Sequence, residues 1–249
     1  MSNNKTKSFA IILASGSGSR FNSNSCPKHL IDIKGVPTIV WTLNLILQSG
    51  VFEGIIIVAR DSDLLITNKL ISKFFNIEKE VFLTTAGGKD RMQSFFNGLS
   101  EISRINKINN SDLIALIDSN RPFCSADQMV DLNKLARING CSCPARPVVN
   151  GVAKVFSKKI TEVPPKEDFV EFVTPEFIRY ELLKQSIDKS STTAFKSLVE
   201  HSLNVFVQSV FTESSELNSK LTYPEDLVFL EGLVSKYNLK IPVEIKIES

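Results

Sequence analysis

Residues 9–20 read Phe-Ala-Ile-Ile-Leu-Ala-Ser-Gly-Ser-Gly-Ser-Arg (FAIILASGSGSR): a short apolar run, then a string of small residues ending on a cation. Residues 9–13 have the length and unbroken apolarity of a strand buried on both faces, as strands of parallel sheets are. Gly and Ser after such a strand let backbone amides turn toward an anion at close range, and Arg20 adds a planar fork for phosphate oxygens. A phosphate-cradling loop is the functional reading; an ordinary strand-to-helix turn is the alternative, because short glycine patterns are weak by themselves. Two known phosphate motifs fail here. The dinucleotide fingerprint needs a third glycine where Phe21 stands, and the P-loop needs a Lys followed by Ser or Thr after its last glycine.

Working outward, residues 37–47 (PTIVWTLNLIL) have helical length and spacing, and residues 54–58 (GIIIV) read as a second strand. Residues 81–85 and 113–117 supply two more strands, with a helix at 91–99 between them. That alternation predicts an α/β fold, a Rossmann-like three-layer sandwich with a mostly parallel sheet. The character changes over residues 141–172, where Pro144, Pro147, Pro164 and Pro165 interrupt short β-rich pieces. A protruding β-arm at about 144–171 is the expectation, an irregular surface loop the alternative. Helices are expected at 179–186 and 192–201 and a strand at 205–210. A capping box of Thr222 with Glu225 predicts a last helix over 223–236.

The chain has 249 residues, a length suited to a single domain, and 29 Lys plus Arg against 27 Asp plus Glu. Such a balance argues against a nucleic-acid binder, whose affinity rests on a basic excess that neutralises phosphates. Any anion must be handled locally. The four cysteines lack the paired spacing of a zinc site, and no apolar run is long enough for a signal-peptide core or a membrane span, so a cytoplasmic protein with reduced thiols is expected.

Four segments in order carry a resemblance. The first runs from the loop of Ala14, Ser15, Gly16, Ser17, Gly18 and Arg20 through Pro27-Lys28 to Lys34-Gly35-Val36-Pro37. Residues 85–98 (TAGGKDRMQSFFNG), 118–122 (DSNRP) and 220–227 (KLTYPEDL) follow. Together they resemble the nucleotidyltransferases of the methylerythritol-phosphate and ribitol-phosphate cytidylyltransferase family, along nearly the whole chain. The fold implied is that of the nucleotide-diphospho-sugar transferases. The reaction implied is attack by a phosphate monoester on the α-phosphorus of CTP, with Mg²⁺ and release of pyrophosphate. By the same resemblance Ala14, Ser15, Gly16, Ser17, Gly18, Gly88, Arg91 and Ser94 bind CTP, with Arg91 either touching phosphate or bracing the glycine segment. Arg20, Lys28 and Lys220 surround the triphosphate as the catalytic cations. Asp118, Arg121, Lys166 and Thr174 face the acceptor, and Asp118 is the candidate metal carboxylate, through water. The arm implies a homodimer; no membrane or nucleic acid is implied.

A phosphate monoester has its second pKa near about 6, so no strong base is required and neither His29 nor His201 need be catalytic. The acceptor half departs from the family. Asn150-Gly151 stands in place of an Asp-Thr pair, Lys166 replaces an arginine and loses its bidentate fork, and Ser191-Thr192-Thr193-Ala194 lacks an expected acid. The acceptor classes consistent with this are D-ribitol 5-phosphate, 2-C-methyl-D-erythritol 4-phosphate or a divergent relative. Two other classes remain on the residues alone: a non-catalytic nucleotide-binding module of the same fold, and a metal-dependent glycosyltransferase. Asp118-Ser119-Asn120 lacks the second Asp the latter would use.

Overall fold

The computed structural model describes residues 6–16, 21, 26–75, 84–189 and 195–240. The chain enters as β1 (Ser8–Leu13), passes a small antiparallel pair, β2 (Asp32–Ile33) and β3 (Val36–Pro37), and forms α1 (Thr38–Ser49). Then come β4 (Gly54–Ala59), α2 (Leu64–Phe74), β5 (Thr84–Ala86), α3 (Arg91–Ile105), β6 (Leu113–Asp118) and α4 (Ala126–Asn139). The second half supplies β7 (Cys141–Pro147), the hairpin β8 (Lys154–Phe156) and β9 (Lys159–Glu162), β10 (Val170–Phe172) and β11 (Glu176–Arg179). It ends with α5 (Tyr180–Lys189), α6 (Leu198–Asn204), β12 (Val210–Glu213) and α7 (Glu225–Lys236).

Strands β5, β4, β1 and β6 lie side by side and parallel, so the carboxyl ends of these strands open on one edge. Leu13 sits opposite Val58 on one side and Asp118 on the other. Beyond β6 the direction changes: β11 is antiparallel to both β6 and β7, β10 pairs antiparallel with the next stretch of β7, and β12 runs parallel along the other edge of β7.

The two-residue period of a strand divides β1 between two cores. Ala10 and Ile12 pack with Ile39, Leu43 and Ile46 of α1 and with Met129 and Leu132 of α4. Phe9 and Ile11 pack on the opposite face with Phe95, Leu99 and Ile102 of α3 and Leu198 of α6. Helices on both faces of a mostly parallel sheet make the expected three layers. Where α3 crosses β1 and β4 the contact needs Gly98, because a Cβ there would stand 2.7 Å from Ile11 Cγ2 and 2.9 Å from Val58 Cγ2. A third apolar cluster, Ile33, Trp41, Phe123, Leu221, Leu230 and Leu233, seats α7 beside the opening of the sheet.

Three local expectations are corrected. The strand expected at 205–210 begins only at Val210, because Ser197 caps α6 and carries it to Asn204. The amides of Val205, Phe206 and Val207 then bond back to Ser202 and Leu203, and Phe206 takes φ +62°. The capping box also shifts by one residue. Thr222 and Tyr223 donate their amides to the Asp226 carboxylate at 2.7 and 2.8 Å, and Pro224, with no side-chain cap, precedes the helix. Finally, α2 and α4 stand where no element was expected. The strand expected at 81–85 and the helix expected at 192–201 fall partly outside the described residues.

The β-arm is present. β10 pairs antiparallel with the end of β7, and the β8–β9 hairpin turns through Ser157 and Lys158, both at positive φ. Its apolar side chains Val155, Phe156, Ile160 and Val163 are 64–74% exposed. The buried cysteines Cys124, Cys141 and Cys143 are free thiols, and burial pushes Cys124 up to about 12 and Cys141 up to about 11, which makes these two inert. No helix among the described residues is long and apolar enough to cross a membrane.

Candidate active site

At the carboxyl edge of the parallel strands lies a cavity of about 400 Å³, within the range of small-ligand sites. Its wall joins Ala14, Ser15 and Gly16 after β1, Lys28 and His29, the segment from Gly88 to Arg91 with Ser94, Asp118 to Asn120 after β6, and Lys220. Ligands of open α/β sheets bind at this edge.

One wall is built by close backbone approach. A Cβ on Gly87 would lie 2.4 Å from Ser15 Cβ, and one on Gly88 2.1 Å from Gln93 Cγ, so only glycine lets these loops meet. The hydroxyl of Ser94 organises the contact: it accepts from Ser15 Oγ and from the Gly88 amide, each at 3.0 Å, and donates to the Asp90 carbonyl at 2.9 Å. Asp90 caps α3 through the Gln93 amide at 2.8 Å, which turns the positive helix start toward the cavity.

The opposite wall is ionic. Lys220 Nζ donates to Asp118 Oδ2 at 2.7 Å, Arg91 reaches Asp118 Oδ1 at 3.3 Å, and Arg121 Nε lies 3.8 Å from Oδ2. Burial alone would raise the Asp118 carboxyl, but Arg91, Lys220 and Arg121 outweigh it and hold the group well below the ordinary carboxylate range. Lys28, nearly two hundred residues away in sequence, reaches the same rim by donating to the Thr222 carbonyl at 2.7 Å. Asn120 and Leu221 fix this meeting through two reciprocal bonds of 2.8 Å.

The described cations facing the cavity are Lys28, Lys89, Arg91 and Lys220, with Asp118 as the one carboxylate beside them apart from Asp90 at the helix cap. The architecture therefore favours a polyanion. A family model described as 2-C-methyl-D-erythritol 4-phosphate cytidylyltransferase matches residues 8–236.

The chain belongs to that family.

Members of the cytidylyltransferase family are CTP-dependent nucleotidyltransferases, and this chain is a nucleotidyltransferase of that type. A relative from Clostridium botulinum named 2-C-methyl-D-erythritol 4-phosphate cytidylyltransferase is 29% identical over 236 residues, covering 93% of this chain and 99% of that protein. One of the same name from Halalkalibacterium halodurans is 26% identical over 228 residues, covering 91% and 96%. Among solved structures, 4-diphosphocytidyl-2C-methyl-D-erythritol synthase from Anaerococcus prevotii superposes with TM-score 0.75 at 20% identity, covering 92% of this chain and 99% of that one. The Thermus thermophilus enzyme gives 0.68 at 18%, covering 92% and 100%. At these identities the structures speak for the fold.

Of the residues the cytidylyltransferase motifs single out, Ala14, Ser15, Gly16, Lys28, Gly88, Arg91, Ser94, Asp118 and Lys220 come together on the cavity. Ser17, Gly18 and Arg20 lie outside the described residues. Three expected acceptor residues stand apart. Arg121, half-buried beside Asp118, donates from Nη1 to the Asn218 carbonyl at 2.7 Å. Thr174 supports the turn by accepting the Asp118 amide at 3.2 Å, and Lys166 sits on the exposed arm, bonded to the Val149 carbonyl. Sequence reading missed Glu176, which binds Arg91 from behind. A lone carboxylate opening the apolar strand Glu176-Phe177-Ile178 was the available signal, since a buried charge needs a partner.

Both histidines are buried. His29 meets Thr67 Oγ1 at 3.0 Å, and burial lowers it to about 4, against the opposing pull of Asp63. The unfolded chain therefore takes up this proton first. Stability is full above about pH 6.5 and falls as the pH drops toward about 4, by up to ~1.4 kcal/mol per pH unit. His201, also lowered by burial, adds to the same trend. Urea midpoints should fall less between about pH 7.5 and about pH 5 in His29→Gln than in the wild type; equal falls would reject this role for His29.

Proposed function

We propose that this chain transfers CMP from CTP to a small polyol-type phosphate, releasing pyrophosphate, with 2-C-methyl-D-erythritol 4-phosphate the first acceptor to expect. The observation that carries this reading is the convergence of Lys28, Arg91 and Lys220 on one cavity walled by Ser15, Gly88 and Ser94, in a chain of this family. The acceptor in the relatives' names supports the choice of substrate.

In this reading the packed backbone of Ala14 to Gly16 and Gly88 holds the base and ribose. Lys28 and Lys220, with Arg20 from the first loop, hold the triphosphate. The acceptor phosphate is already largely ionised at neutral pH, so its oxygen attacks the α-phosphorus without a protein base. Negative charge gathers on the departing pyrophosphate, and fixed cations stabilise it more than they stabilise bound CTP, which is what accelerates the reaction. The donor set suits Mg²⁺, which commonly takes one or two carboxylates with substrate phosphates and waters. Asp118 is the carboxylate available, and bound Mg²⁺ would neutralise phosphate oxygens there.

A second reading, an acceptor that is neither methylerythritol phosphate nor ribitol phosphate, is favoured by Asn150-Gly151, Lys166 and the missing acid in residues 191–194. The exposed apolar arm supports a homodimer in which a second copy covers Val155, Phe156, Ile160 and Val163. The decisive experiment follows pyrophosphate release from CTP, UTP, ATP and GTP with Mg²⁺ and a panel of polyol, sugar and amine phosphates. Release from CTP with one polyol phosphate is expected. Methylerythritol phosphate or ribitol phosphate as best substrate would end the second reading, and no release with any pair would favour a binding module.

A further inference from the structure

Glu176 opens β11 and is 2% exposed, yet it belongs to no motif and lines no part of the cavity. Its two oxygens do different work. Oε1 accepts from Arg91 Nη2 at 3.4 Å, while Oε2 accepts the amides of Leu198 at 2.7 Å and Val199 at 3.3 Å, at the start of α6. Arg91 answers from the other side: Nη2 also reaches Asp118, and Nη1 donates to the Lys196 carbonyl. Arg91 is thus held from behind by two carboxylates and a carbonyl, with about a third of its side chain open to the cavity.

A guanidinium on a freely rotating side chain would lose entropy on meeting a phosphate; one already fixed loses less, and its planar fork arrives aligned. Glu176 supplies that fixing, and it joins α3, whose Ser94 holds the glycine wall, to β11 and α6, which do not touch the cavity. We propose that Glu176 is a positioning residue of this site, acting through Arg91 to pre-orient the guanidinium and the Asp118 carboxylate for the nucleotide. The inference rests on the CMP-transfer reading for its kinetic consequence, but its structural content can be read without substrate.

The test is a double-mutant cycle of Glu176→Gln and Arg91→Gln. In Glu176→Gln the amide oxygen can keep the Leu198 bond while an NH₂ faces the Arg91 donors, so α6 stays anchored and the Arg91 contact is lost. Three quantities are read: kcat and KM for CMP transfer, thermal midpoint, and side-chain NMR of the Arg91 guanidinium in the protein without ligand. Expected are a fall of about 10- to 100-fold in kcat/KM for Glu176→Gln, the range for losing a hydrogen bond to a charged group, and no further fall when it is added to Arg91→Gln. Slowed guanidinium rotation in the wild type should become fast in Glu176→Gln, at a thermal midpoint close to wild type. Additive kinetic losses, activity within about twofold of wild type, or unchanged Arg91 rotation would overturn the proposal. If the wild type transfers no CMP, the functional reading fails, and the rotation measurement still decides the positioning role.

Discussion

Lys220→Ala should lower kcat/KM for CMP transfer by about 10²- to 10³-fold, the cost of removing one preorganised group from a site of developing negative charge. The ammonium lines the cavity and is held 2.7 Å from Asp118 Oδ2, so it is in place before nucleotide arrives. Because the charge on the leaving pyrophosphate grows as the bond breaks, the loss should fall mainly on kcat rather than on KM. Stability should hardly change: Lys220 is 36% exposed, and pairs of that exposure contribute little. Asp118 also keeps Arg91 and Arg121. Steady-state kinetics with a urea titration on the same preparation checks both halves. A variant within about threefold of wild-type kcat/KM would remove Lys220 from the reaction.

Asp118→Ala should also unfold the protein far more easily, by about 3 kcal/mol. That figure is the low end for stripping one partner from a buried ion cluster, because Arg91 and Lys220 are about a third exposed and partly screened. Arg121 decides the magnitude. It is 13% exposed, its Nε has no hydrogen-bond partner, and Asp118 is the carboxylate beside it. Burial already lowers this guanidinium's affinity for its proton, and removing Asp118 deepens the penalty. Asp118→Asn, which keeps the shape and loses the charge, should fall between Ala and wild type. A loss below about 0.5 kcal/mol for Asp118→Ala, read from urea midpoints, would contradict the cluster's role in stability.

The parallel strands β1, β4 and β6 were legible because they are continuous apolar runs that need no knowledge of their neighbours, whereas β11, opened by Glu176, gave no such run. The meeting of Lys28 and Lys220 was legible only through motif order, since nothing local to either residue announces that Thr222 will accept the Lys28 ammonium. The Asp226 cap eluded the pattern for a smaller reason. Pro224 takes the position before the helix, so the orphan amides of Thr222 and Tyr223 turn to the next carboxylate within reach. Arg121 and Thr174 carry the right chemistry for an acceptor, and only the fold shows that Arg121 also donates to the Asn218 carbonyl and Thr174 also accepts the Asp118 amide. Glu176 could be flagged as a charge in an apolar strand, but its partner Arg91 lies eighty-five residues away.

The most direct test of the account follows the label from CTP marked at its α-phosphorus, in parallel with CTP marked at its γ-phosphorus, through incubation with Mg²⁺ and 2-C-methyl-D-erythritol 4-phosphate or the best acceptor from the panel. The α-label should enter a CDP-linked product while the γ-label leaves as pyrophosphate, and both events should fail together in Lys220→Ala. Transfer of the γ-label to the acceptor, or retention of both labels in CTP with every acceptor, would contradict CMP transfer.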